Sequence, residues 1–107
     1  MGAFDDRLRI VSEFKADEHA HVRGIVFGRL EKRLLHWQPE QVELELSVKE
    51  RDTEKQRTVL EAWIAGVPHL AATSDERDLD RALAEVRDDL HRQLDKVVTK
   101  REDSRRA

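Results

Sequence analysis

Val42-Glu43-Leu44-Glu45-Leu46-Ser47-Val48-Lys49 alternates apolar and polar side chains without a break. Successive side chains of a strand point to opposite faces. The stretch therefore reads as a β-strand with Val42, Leu44, Leu46 and Val48 buried and Glu43, Glu45, Ser47 and Lys49 in water. The polar connection Arg51-Asp52-Thr53-Glu54-Lys55-Gln56 follows, after which Leu60, Ala62 and Ile64 alternate with Val59, Glu61 and Trp63. Two such runs make a hairpin. Gly66-Val67-Pro68 turns the chain again into a short run, His69 to Thr73, whose small residues suit a third antiparallel neighbour.

On either side of this meander the period changes. From about Asp17 to His36, Val22, Val26, Leu30 and Leu34 recur four apart, the spacing of a helix face, and Trp37-Gln38-Pro39 breaks the pattern. Before it, Leu8, Ile10 and Ser12 alternate with Arg9 and Val11 as a short first strand. After the meander, Thr73, Ser74 and Asp75 are candidate N-caps, with Glu76 placed as in a capping box. A long helix is expected from there to about Lys100. At 100° per residue, Leu79, Ala82, Leu83, Val86, Leu90, Leu94 and Val97 fall within an arc of about 120°, the width of a core-facing stripe. Gly24 and Gly28 are expected to let helix one pack closely against the sheet.

The order strand, helix, three strands, helix defines an α+β domain, β-α-β-β-β-α. Neither helix has a second apolar face, so both are expected on one face of a four-stranded mixed sheet, with the first two strands parallel across a right-handed crossover. Residues 1–100 are expected to form this domain and residues 101–107 a polar C-terminal tail. The chain of 107 residues has room for one core only. Leu, Ile, Val and Phe supply 28 residues, enough for a highly charged chain to fold.

Composition also narrows the function. Charged residues reach 40%, yet 20 basic residues face 23 acidic ones and the net charge is −3, so nucleic-acid binding would have to rest on local patches. There is no cysteine, which removes thiol nucleophiles and thiolate metal sites. Met1 to Ile10 carries Asp5, Asp6, Arg7 and Arg9 where a secretory signal needs an apolar core. No stretch approaches the roughly 18 uncharged residues of a membrane span, and a cytoplasmic location without membrane association is expected. Gly2 is followed by Asp6 where myristoylation prefers Ser or Thr.

Side chains that carry chemistry are sparse. His19 and His21 lie near Asp17 and Glu18, but residues two apart on a helix point in nearly opposite directions, and His36, His69 and His91 sit on different elements. No nucleophile motif, phosphate loop or dinucleotide fingerprint is present. The expectation is a binding protein, with no cofactor, metal or small-molecule substrate.

Charge patterning is more informative. Asp75 to Asp89 holds seven acids and three arginines, whereas His91 to Ala107 holds six basic residues and three acids. The helix dipole favours this gradient by about 0.3–1 kcal/mol per charge. Basic residues also extend past the last turn, and helix one ends with Arg29, Lys32 and Arg33. Two basic helix ends on one side of a sheet can form a surface that reads a phosphate backbone by charge and shape, as structured RNA is commonly read. Trp63, on the sheet face away from the helices, is a candidate for base stacking or for covering its strand neighbours.

Several segments resemble the short form of the bacterial ribosome hibernation factors, the family of hibernation promoting factor and ribosome-associated inhibitor A. Arg29-Leu30-Glu31-Lys32 before Trp37 looks like that family's first helix, and Glu61-Ala62-Trp63-Ile64 is similar to its third strand. Asp78-Leu79-Asp80-Arg81-Ala82-Leu83, followed by Leu90-His91-Arg92-Gln93-Leu94-Asp95-Lys96, looks like its second helix, with Asp80 where the family often has an aromatic. The likeness covers roughly Leu8 to Lys100 and implies the same fold. It also implies a translation inhibitor that occupies the decoding channel of the small ribosomal subunit when growth stops. The 16S ribosomal RNA is then the partner, contacted through Arg29, Lys32 and Arg33 of the first helix and Arg92, Lys96, Lys100 and Arg101 of the second. Without the additional C-terminal domain of the long forms, action on individual ribosomes or small subunits is expected, or a partner that brings two together. The alternative is a protein-interaction module of the same fold that binds its partner through the open sheet face around Trp63.

Overall fold

A computed structural model describes residues 4–11 and 13–106, with side chains through residue 100. The alternating runs form the centre of the sheet. Strand β2, Val42–Lys49, pairs antiparallel with β3, Arg57–Ile64, in a register that sets Leu44 opposite Ala62 and Leu46 opposite Leu60. Those residues are buried and their neighbours are not, so a shift of one residue would turn every apolar side chain out to water. Strand β1, Leu8–Val11, pairs parallel with β2, and β4, Leu70–Ser74, pairs antiparallel with β3, giving the order β1-β2-β3-β4. The fold is therefore β-α-β-β-β-α with a mixed four-stranded sheet. Ser12, expected to continue the first strand's alternation, lies outside the described residues.

Helix α1, His19–Leu34, follows a single 3-10 turn at Ala16–Glu18, so it is shorter at both ends than the apolar spacing suggests. Its buried stripe is Val22, Val26, Phe27, Leu30 and Leu34. Trp37 folds back into the core just beyond its end, and Phe4 does the same before β1. Helix α2, Leu79–Arg106, buries Ala82, Leu83, Val86, Leu90 and Leu94 and then Val98, with Val97 only partly covered. Residues of both helices and the inward residues of all four strands form one apolar cluster, and α1 packs against α2. Among the described residues no helix is long and apolar enough to cross a membrane.

Three expectations are corrected. The cap of α2 is Asp78, whose Oδ1 accepts the backbone N–H groups of Asp80 (3.1 Å) and Arg81 (3.4 Å). Thr73 and Ser74 are taken up by β4 opposite Val59 and Thr58, and the chain needs the next four residues to cross onto the helix layer. Ser74 Oγ instead accepts the Glu76 N–H at 3.1 Å and donates to Glu85 Oε1 at 2.7 Å, holding that crossing in place. Secondly, the last helix does not end near Lys100; the backbone of residues 101–106 continues α2 to Arg106. Thirdly, Gly24 and Gly28 do not pack against the sheet. Gly24 lies two residues from Val22 and Val26 and Gly28 two from Val26 and Leu30, about 200° around the helix from those buried positions. Both are exposed, and a Cβ at either would meet nothing within 4 Å.

The sheet's outer edges are guarded. Strand β1 is only four residues long, and the Gln93 side-chain amide of α2 donates to the Ala71 carbonyl of β4 at 2.9 Å.

One side chain ties the β1–α1 connection to the β2–β3 hairpin. The Arg51 guanidinium donates to Glu18 Oε1 (2.8 Å), Glu18 Oε2 (2.6 Å) and the Glu13 carbonyl (2.6 Å), and lies 5.8 Å from the centre of the Phe14 ring. Glu13, Glu50 and Asp52 beside it adopt φ of 58°, 51° and 68°, a left-handed backbone uncommon for such residues. The Arg51 fork, with help from the Lys15 backbone N–H, lowers the Glu18 pKa from 4.5 to about 2. A carboxylate so depressed stabilises the fold fully above pH 4.5 and loses that contribution as pH falls towards 2. Carboxyl NMR titration should find the Glu18 midpoint near 2 in the native protein and back near 4.5 in Arg51→Ala.

Candidate nucleic-acid interface

The interface is built from the seam between the two helices. Each follows a strand pointing the same way, β1 or β4, and each returns antiparallel to it, so α1 and α2 run parallel. The polar contacts along the seam advance together on both helices. His21 Nε2 meets Asp80 Oδ1 (3.0 Å), Arg87 donates to the Ile25 carbonyl (3.3 Å), Arg29 meets Asp88 (3.2 Å), and Arg33 meets Asp95. Parallel packing sets the negative end of the α1 dipole beside the middle of α2, and Lys32 and Arg33 in the last turn of α1 are favoured there.

At this end the helices enclose an open cleft of about 410 Å³ lined by Gly28, Arg29, Lys32, Arg33 and His91. Three of the seven expected contact residues are thus brought together. Lys32 is exposed and has no ion pair among the described residues. Arg29 and Arg33 are engaged by carboxylates of α2, which leaves Lys32 as the one cleft cation without an ion pair among the described residues. Asp88 is shared, since Arg87 Nε donates to it at 2.9 Å, and its pKa is lowered by Arg87 first and by Arg29 after it. Asp95 is shared too, with His91 Nδ1 at 3.4 Å from its second oxygen.

The remaining expected residues are not gathered into the cleft. Arg92 is exposed and pairs within α2 with Asp89 at 3.6 Å. Lys96 and Lys100 are exposed without an ion pair among the described residues, and the Arg101 side chain lies outside them. Past Asp95 the helix continues for eleven residues, about 16 Å, and these cations ride on that extension. The basic surface therefore has two parts, a largely neutralised cleft and a projecting helix end. Asp88 and Asp95 were not singled out from sequence, and Gly28 and His91 were read there as a packing glycine and an isolated histidine. Asp88 and Asp95 stand two turns apart opposite Arg29 and Arg33, a match visible only once the helices are known to be parallel.

The opposite sheet face offers a second surface. Trp63 is 41% exposed and stacks on His69 at 5.1 Å, and His69 Nε2 meets Glu61 Oε2 at 2.9 Å. Shallow clefts of about 380 and 330 Å³ flank the indole, one edged by Arg7, Arg9 and Glu43, the other by Glu40, Val67 and His69. Arg7 and Arg9 are paired with Glu43 (3.7 Å) and Glu45 (3.1 Å), so this face is nearly neutral. Among the described residues no three His, Asp or Glu side chains are grouped to hold a metal ion.

The open space at Gly28 has a measurable consequence. Alanine is the better helix former by about 1 kcal/mol and its methyl meets no atom here, so Gly28→Ala should raise thermal stability by about 0.5–1 kcal/mol. Thermal denaturation followed by circular dichroism checks this; a loss of stability would mean that the cleft floor is closed. In comparisons with known proteins, no family model and no curated protein sequence matches this chain.

Proposed function

We propose that this chain is a non-enzymatic translation inhibitor that binds the small ribosomal subunit under stress, contacting its RNA through the basic ends of both helices. The observation that carries the reading is the parallel packing of α1 and α2, which sets Arg29, Lys32 and Arg33 in one cleft and projects Lys96 and Lys100 beside it. The β-α-β-β-β-α fold and the resemblance of both helices to the hibernation factors support it. A body 49 × 27 × 18 Å with cations along one end suits a channel walled by phosphate. Lysine and arginine there read charge and shape and need no base contacts.

Phosphate contacts release condensed counterions, so affinity should fall linearly in logarithmic terms as salt rises. Co-sedimentation with ribosomes should show binding at about 50 mM salt that is largely lost by about 200 mM. Lys32→Ala with Lys96→Ala should weaken it at least severalfold and flatten the salt slope. Failure to pellet even at low salt would refute the proposal.

The exposed Trp63, with a cleft on either side, favours a second reading, in which the same fold captures a protein partner through the sheet face. Under the ribosome reading, Trp63→Ala leaves affinity within about fivefold, because losing one rim contact commonly costs under 1 kcal/mol. Under the second, Trp63→Ala abolishes capture and Lys96→Ala with Arg92→Ala does not.

A further inference from the structure

We propose that Asp88 and Asp95 are resident stand-ins for phosphate, and that the α1–α2 cleft takes up a nucleic-acid backbone by exchanging these carboxylates for two of its phosphates. The inference rests on the RNA-binding reading and deepens it, by naming what occupies the cleft at rest and what displaces it.

Arg29 and Arg33 lie one turn apart on α1, about 6 Å along the axis, and each meets a carboxylate of α2. A guanidinium fork accepts carboxylate and phosphate in the same planar geometry, so the two ligands compete directly. Exposed pairs of this kind contribute about 0–1 kcal/mol each, little enough for a polyanion to displace them. Asp88 keeps Arg87 at 2.9 Å when Arg29 leaves, and Asp95 keeps His91, 3.4 Å away, as an ionic partner where the imidazole is protonated. The exchange therefore strands no bare charge at Asp88. Lys32, between the two arginines and without a partner among the described residues, supplies the first attraction, and Gly28 leaves the cleft floor open to close approach.

At rest the three cations of the cleft are opposed by two carboxylates, so an isolated anion gains little. A polymer that presents neighbouring phosphates displaces both carboxylates together. The device thus selects against single small anions and for a phosphate backbone.

The test compares the native protein with Asp88→Asn/Asp95→Asn by fluorescence anisotropy on a 20-base-pair RNA duplex, between 50 and 200 mM potassium chloride. Removing both competitors should tighten binding about fivefold at low salt and steepen the salt slope by about one to two phosphate contacts. A control, Asp17→Asn/Glu54→Gln, removes two exposed charges outside the cleft and should change affinity less than twofold. A cleft variant no tighter than this control, with its melting temperature retained, would overturn the exchange. Inorganic tripolyphosphate, followed at the Gly28 amide by NMR, separates the sources of phosphate; binding as tight as that of the duplex would overturn selection for a polymer. The two proposals fail separately. Ribosome pelleting without a gain from Asp88→Asn/Asp95→Asn removes the exchange alone, and a gain on the duplex without pelleting removes the ribosome alone. No binding to either RNA removes both.

Discussion

The parallel pairing of β1 with β2 is the constraint from which the rest of the molecule follows. Two parallel neighbours cannot be joined by a tight turn, so α1 must return the chain along the sheet, and two hairpin reversals then leave β4 pointing as β1 does. Helix α2 leaves β4 in the direction that α1 leaves β1. Both helices thereby run towards the same end of the domain, side by side along the seam until α1 stops and α2 continues past it. Arginines in the last turns of α1 meet carboxylates two turns apart on α2, and the same pairs create a cleft rich in exchangeable charge. Structural need and binding capacity arise here from one set of side chains.

Much of the architecture was legible because it depends on one-dimensional periods. The alternation from Val42 to Ile64 carries strand identity, inward face and register together, and the four-residue spacing of Val22, Val26, Leu30 and Leu34 carries α1. What escaped the sequence depends on tertiary geometry. Thr73 and Ser74 have cap chemistry, but their backbone was already needed by β3, which handed the cap to Asp78. Gly24 and Gly28 suggested close packing until the phase of α1 placed them opposite its buried stripe. The Arg51 fork joins loops whose meeting no local pattern announces.

The candidate site was legible to a similar depth. Its cations could be named from their places at helix ends, because the dipole and the local excess of charge are properties of sequence. Their partners could not. Arg29 and Arg33 looked like free positive charge, and only the parallel seam reveals that carboxylates fifty-nine and sixty-two positions later in the chain already occupy them. In a chain that is 40% charged, counting cations overstates a basic surface, since carboxylates on a neighbouring element can already engage them.

The guard on β4 has a consequence for how such a domain can be stored. Leu70-Ala71-Ala72-Thr73-Ser74 is an uncharged strand at the rim of a sheet, the kind of edge on which a neighbouring molecule readily extends its own. The Gln93 amide reaches over from α2 and occupies the Ala71 carbonyl, and at the other rim β1 is too short to serve as a template. Crowded copies therefore meet fewer open backbone groups along either rim. Extension of one sheet onto another is made harder where the local concentration is high.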